Sequence, residues 1–250
     1  MKFIKEKYAY LSMADKQKYI KIIKDKFERE LAKQLDLIRV SAPLLVTQES
    51  GLQDDLSGVE RKVSFDILKD GKELEIVQSL AKWKRYALKK YGIPTHKGIY
   101  TDMTAIRRDE KLDEIHSVYV DQWDWEKVIE REDRTVQYLK QTVKKIVKAI
   151  IATEKYLKKD GLELAHLSDK VYFITSQKLL DLYPTLTPKQ REYEIVKKYK
   201  TVFIMQIGDD LSDGFPHDLR APDYDDWKLD GDLMFYHEVL DMALEISSMG

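Results

Sequence analysis

The chain has 250 residues, 43% hydrophobic and 35% charged, with a formal net charge of −1. That length buries the core of one large domain, or of one domain with a small appendage, and the charge balance argues against a generic nucleic-acid or membrane-surface binder. No cysteine is present, which excludes a disulfide framework, a thiolate metal site and a cysteine nucleophile. The N-terminus, Met1-Lys-Phe-Ile-Lys-Glu-Lys7, is too charged for a signal peptide, and no apolar run approaches membrane-spanning length, so a soluble cytoplasmic protein is expected.

In chain order, Ile20, Ile23, Phe27, Leu31 and Leu35 recur at helical spacing and predict a helix over 14–36. Residues 37–46 read as a strand in which Pro43 marks an edge or a break. Lys62 to Leu68 and Glu73 to Val77 flank an Asp-Gly turn and predict a hairpin. A short helix over 79–91 is closed by Gly92 and Pro94. Two strands, 98–106 and 116–126, are expected as antiparallel neighbours. A long amphipathic helix over about 133–158 buries Val136, Leu139, Val143, Ile146, Val147, Ile150 and Ile151. Then come a strand at 171–174, helices near 176–183 and 188–199, a strand at 201–207, a loop from 208 to 232, and helix or strand from Met234 on. Interleaved helices and hairpins make the expected fold class α+β.

The chemistry concentrates in four stretches. Along His116-Ser-Val-Tyr-Val-Asp-Gln-Trp-Asp-Trp-Glu126, alternation sets Gln122, Asp124 and Glu126 on one face. Acceptors at fixed positions suit a small cationic group such as an α-ammonium; an edge strand with a solvated polar face is the alternative. From Ile207 to Trp227 aspartates interleave with Leu211, Phe215, Leu219, Tyr224 and Trp227, and Asp230 and Asp232 follow. Carboxylates so pinned bind a divalent cation or an ammonium, although Asp209, Asp210 and Asp213 are better read as turn residues capping their own backbone. Ser79-Leu-Ala-Lys-Trp-Lys-Arg85 sets Lys82 and Arg85 three apart and Lys84 elsewhere on the helix; it is either an anion site or a solvated basic face. Arg107-Arg-Asp-Glu110 leaves a strand end where an arginine clamps phosphate or carboxylate, or forms a surface ion pair. Glycine-rich phosphate loops, zinc spacings and a GxSxG elbow are all missing, so a nucleotide site must be built from arginine and lysine on an antiparallel sheet.

Ser79 to Arg85 and His116 to Glu126, with Leu211-Ser-Asp-Gly214, Arg220-Ala-Pro-Asp-Tyr-Asp-Asp-Trp227 and Leu244-Glu-Ile-Ser-Ser-Met-Gly250, resemble the ammonia-dependent asparagine synthetases, or aspartate–ammonia ligases. The resemblance runs in order along essentially the whole chain. It implies an antiparallel sheet flanked by helices, like the catalytic core of class II aminoacyl-tRNA synthetases, as a single domain over 1–250. The helix ending near Leu35 and the Pro43 strand look like the first class II motif, which builds a homodimer. Arg107 to Glu126 looks like the second motif. Family members continue past Met249-Gly250 into a glycine-rich third motif, so a chain truncated at its C-terminus is expected. Asp230 stands where the family usually has asparagine.

The implied reaction makes β-aspartyl-adenylate and pyrophosphate from L-aspartate and ATP; ammonia then displaces AMP to give L-asparagine. The resemblance implies Asp54 (in Gln53-Asp-Asp-Leu-Ser-Gly58), Gln122 and Asp124 around the substrate amino group or incoming ammonia, with Asp225 near the amino-acid site. Lys84 and Arg107 would neutralise carboxylate and phosphate charge. Asp109 would join Arg107 at the nucleotide, and Asp232, Glu245 and Ser248 would serve ATP, the two carboxylates also serving Mg²⁺. No nucleic-acid or membrane partner is expected. The alternative is a catalytically silent synthetase-like protein that binds aspartate, asparagine or AMP as a regulator; an adenylate donor to tRNA is disfavoured because no anticodon-binding domain precedes residue 37.

Overall fold

The computed structural model describes residues 11–113, 115–162, 164 and 166–250, so the charged stretch at 1–7 lies outside the described residues. The elements are α1 (Met13–Leu35), β1 (Leu37–Arg39), β2 (Leu45–Val46), β3 (Val63–Asp66), β4 (Glu73–Ile76), α2 (Ala81–Lys90), β5 (Gly98–Ile106), β6 (Tyr119–Lys127), α3 (Val136–Lys159), β7 (Tyr172–Thr175), α4 (Ser176–Leu182), α5 (Pro188–Tyr199), β8 (Thr201–Met205), β9 (Gly231–His237) and β10 (Met242–Met249). Interleaved helices and mainly antiparallel sheets make the fold α+β, as expected.

The chain divides into two compact units. One comprises Leu35–Asp133 and Leu219–Asp225. Its larger sheet runs β1-β5-β6, with β1 parallel and β6 antiparallel to β5. A small sheet β2-β4-β3 holds the expected hairpin; Gly71 takes φ 65° in its turn, which a residue without Cβ adopts freely. Val77, Leu80, Trp83, Ala87, Ile99, Met103 and Ala105 form the core, so α2 is held on β5 and β6 through its Trp83–Ala87 stripe. The segment expected as one strand over 37–46 is two short strands, because Pro43 lacks the N–H a continuous ladder needs. The expected strand at 116–126 starts only at Tyr119, since the Asp113 side chain accepts from the backbone N–H groups of Ile115 and His116 and holds them in a turn.

The other unit contains Arg134–Asp218 and Asp226–Gly250 together with most of α1. Its sheet runs β10-β9-β8-β7, with β7 parallel to β8 and the rest antiparallel. β8 is buried along its whole length, as a run of Thr201-Val-Phe-Ile-Met205 demands. Ile174, Leu179, Ile195, Val196, Val202, Ile204 and Met234 form a core between α4, α5 and one sheet face. Helix α3 buries Val143, Ile146, Val147 and Ile151 as its spacing predicts, but Val136 in its first turn is 40% exposed. The C-terminal region left between helix and strand is the β9–β10 pair, and β9 begins at Gly231 inside the expected loop. A Cβ at Gly231 would strike the Ile204 carbonyl and the Phe203 ring, so close strand packing sets that residue.

Candidate active site

On β6, Gln122, Asp124 and Glu126 share one face, and α2 lies against it. Lys84 reaches from α2 into this face. Its ammonium pairs with Asp124, donates to the Trp125 carbonyl at 2.9 Å and lies 3.7 Å from Glu126. The lysine side chain is only 7% exposed. Burial alone pushes the ammonium down, but the Asp124 and Glu126 carboxylates outweigh it and hold Lys84 above its ordinary value. Asp124 Oδ2 is buried with no hydrogen-bond partner among the described residues. Gln122 is half-buried, one step along the same face and opposite Met103 of β5.

Asp54 is fully buried at the start of α2, where its two oxygens accept from the backbone N–H groups of Ala81 (2.6 Å) and Lys82 (3.1 Å). The helix N-terminus suits a carboxylate, yet burial lifts the Asp54 carboxyl above its usual range against those donors. The segment Leu219–Asp225 is strapped to the same helix. Lys82 pairs with Asp223 at 2.8 Å, and Arg85 donates to the Tyr224 carbonyl at 2.6 Å. Asp225 sits in this strap, 3.0 Å from Arg220 and accepting from the Ala221 N–H at 3.1 Å. Burial, then the charges of Asp54, Asp225 and Asp223, push the Tyr224 phenol up. Lys84, Asp54 and Asp124 are therefore gathered around α2, with Asp225 on the strap beside them.

Arg107 follows β5, and its Nε donates weakly to the Gln78 carbonyl at 3.5 Å. Gln78 itself is buried; its amide donates to the Arg61 carbonyl and its Oε1 is left without a partner among the described residues. Asp109 is engaged by Arg61, which donates from its backbone at 2.8 Å and from its guanidinium. Those bonds hold the Asp109 carboxyl at about 2. The structure thus places Asp109 in a clasp between two loops.

In the other unit, register puts Asp232 opposite Ser248 and Met234 opposite Glu245, with a bulge between Glu245 and Ser247. Asp232 and Met234 alternate onto one face, so Asp232, Glu245 and Ser248 share it. Asp232 is buried; Glu245 and Ser248 are exposed. Two carboxylates and a hydroxyl are hard oxygen donors, which suits a magnesium ion completing its shell with phosphate and water. Among the described residues no three acidic or histidine side chains converge into a preformed metal cage. Asp230 is fully buried and accepts from the Ile207 N–H at 2.9 Å, bracing the chain after β8.

A family model described as aspartate-ammonia ligase matches residues 14–250. The chain belongs to the aspartate–ammonia ligase family. It is similar to the aspartate–ammonia ligases of Bacillus cytotoxicus (55% identical over 241 residues, 96% of this chain and 74% of the relative) and Ruminiclostridium cellulolyticum (56% over 235 residues, 92% and 69%). That of Fusobacterium nucleatum is 55% identical over 246 residues, 97% and 75% of the two chains. Among solved structures, asparaginyl-tRNA synthetase from Pyrococcus horikoshii, complexed with asparaginyl-adenylate, shares the fold at a TM-score of 0.58 and 13% identity, covering 85% of this chain and 50% of that one. The Entamoeba histolytica asparaginyl-tRNA synthetase gives 0.55 and 11%, covering 88% and 49%.

In this member of the aspartate–ammonia ligase family, the sequence gives no role to Arg220 and Asp223, the partners of Asp225 and Lys82, or to the Lys189–Glu192–His217 cluster. The last carried a signal. Lys189, Glu192 and Val196 fall at spacings of three and four on one stripe of α5.

Proposed function

We propose that the chain makes L-asparagine from L-aspartate and ammonia, with ATP cleaved to AMP and pyrophosphate through a β-aspartyl-adenylate, and that residues 1–250 form one class II synthetase-like catalytic domain. The observation that carries this is the buried Lys84–Asp124 pair, with an unspent Asp124 oxygen, on the acidic strand of a chain whose relatives are aspartate–ammonia ligases. In the first step the aspartate side-chain oxygen bonds to the α-phosphorus, and the bond to pyrophosphate breaks with its electron pair. Two anions meet, so cations must offset their repulsion. Lys84 and Arg107 supply that charge. Asp124 and Gln122, with Asp225, offer acceptors to the substrate ammonium, and Asp54 fixes the N-terminus of the helix that delivers Lys84. Asp232 and Glu245, with Ser248, serve the nucleotide, and magnesium bound there would offset phosphate charge.

No helix among the described residues is long and apolar enough to cross a membrane. We further infer a cytoplasmic homodimer. Its support is the exposed apolar series on α1, where Met13, Ile20 and Ile23 are 70%, 49% and 37% accessible. Aspartate-dependent exchange of labelled pyrophosphate into ATP, with ammonia withheld, tests the adenylate. Exchange that needs aspartate and disappears in Arg107→Ala supports it. Tight AMP or asparagine binding without any exchange would instead select a silent, ligand-sensing protein.

A further inference from the structure

Helix α5 opens with a capping box between Thr187 and Gln190 and with Pro188 at its first turn. Its residues Ile195 and Val196 share a core with Met234 of β9, and the helix packs along β9 and β10. Met234 is paired with Glu245 and shares its face with Asp232. The stripe that includes Val196 therefore lies over the face carrying Asp232, Glu245 and Ser248. Glu192 and Lys189 occupy that stripe one and two turns before Val196.

Glu192 is 5% exposed and is held by His217, a histidine whose side chain is 2% exposed and whose Nε2 lies 3.1 Å from Oε1. Lys189 approaches the same carboxylate at 3.1 Å, lies 3.9 Å from Asp218, and feels the charge of Glu245. Desolvation where it meets Glu192 pushes the Lys189 ammonium down, but the charges of Glu192, Asp218 and Glu245 together outweigh it, so it remains a cation. Its tether is buried while its own side chain is 69% exposed. An ammonium has three donors, and Asp218 stands beyond hydrogen-bonding distance. Lys189 is thus a fixed, solvent-reachable positive charge over the face proposed to serve ATP.

We propose that Lys189 is a further nucleotide-binding residue, whose ammonium contacts the β- and γ-phosphates of ATP and the pyrophosphate that departs. Lysine acts on phosphate as a point charge. The P–O bond to pyrophosphate breaks with its electron pair, and Lys189 meets the charge that gathers there. This rests on the proposed ligase reaction, and the test separates the two.

Calorimetric titration of the protein with magnesium pyrophosphate, Mg-ATP and AMP compares wild type with Lys189→Met and Lys189→Arg. Losing a charge-assisted hydrogen bond should weaken pyrophosphate and ATP by about tenfold or more in Lys189→Met. AMP, which lacks those phosphates, should bind as before, and Lys189→Arg should recover most of the loss. Unchanged or tighter pyrophosphate binding in Lys189→Met, or an equal loss for AMP, overturns the assignment while leaving the ligase reading intact. Wild-type protein that binds no nucleotide overturns the ligase reading and this assignment with it.

Discussion

Lys84 and Asp124 form a buried ion pair between α2 and β6, with the Trp125 carbonyl as the lysine's second acceptor. Removing either partner leaves a charge in a place built for two. Lys84→Met or Asp124→Asn is expected to destabilise the chain by about 3–5 kcal/mol. The double variant Lys84→Met/Asp124→Leu should regain much of that, because neither member of the pair is left behind and Glu126 keeps Arg85 at 3.6 Å. Urea unfolding measures the stability. Asparagine formation should be lost in all three, so that stability and activity separate in the double variant.

Asp54 closes α2 from 27 residues upstream, accepting from two of the helix's first N–H groups. Asp54→Ala should cost about 1–2 kcal/mol, the usual value of a lost N-terminal acceptor, and hydrogen exchange at the Ala81 and Lys82 amides should quicken. Asp54→Asn keeps one acceptor and should lose less. Exchange at those amides unchanged in Asp54→Ala would remove the capping role.

The Arg61–Asp109 clasp gives a pH dependence of known sign. Arg61 depresses the Asp109 carboxyl to about 2, whereas an unfolded aspartate titrates at about 3.9. The folded state therefore binds this proton less readily than the unfolded state. Its contribution is present above pH of about 4 and is lost as pH falls through about 2. Carboxyl NMR should show Asp109 titrating far below an ordinary aspartate, and Arg61→Ala should return it toward the ordinary range. A normal titration in the unaltered protein would remove the clasp.

Asp230 stands on the loop into β9, next to Gly231 and two residues before Asp232, and accepts from the buried Ile207 N–H. An asparagine oxygen accepts that bond equally well, so Asp230→Asn should leave the melting temperature little changed. Asp230→Ala leaves a buried N–H without this partner and should cost about 1–3 kcal/mol. Thermal melting of both variants decides it; equal losses would show that the hydrogen bond is not what Asp230 contributes.

Much of this architecture was legible because it rests on local pattern. The spacing of Val143, Ile146, Val147 and Ile151 gives α3 its buried face, and Asp70-Gly71 gives the β3–β4 turn. Alternation from Tyr119 to Glu126 puts Gln122 and Asp124 together on β6. What was not legible depends on contacts distant in sequence. Nothing near Asp54 announces that it caps a helix beginning at Ala81, and nothing near Asp109 announces Arg61. The bulge before Ser247 restores the register that brings Glu245 and Ser248 to the Asp232 face; strict alternation would part them. The proposed roles of these residues in asparagine synthesis rest on resemblance to a family; their surroundings rest on the fold.

The proposed reaction is amidation of aspartate at the expense of ATP, cleaved to AMP. The most direct measurement incubates the 250-residue chain with L-aspartate, Mg-ATP and ¹⁵N-ammonium and follows AMP and asparagine by mass spectrometry. Equal amounts of AMP and asparagine labelled in its side-chain amide are expected, with both abolished in Arg107→Ala. Formation of ADP in place of AMP, or of AMP with no labelled asparagine, would contradict it.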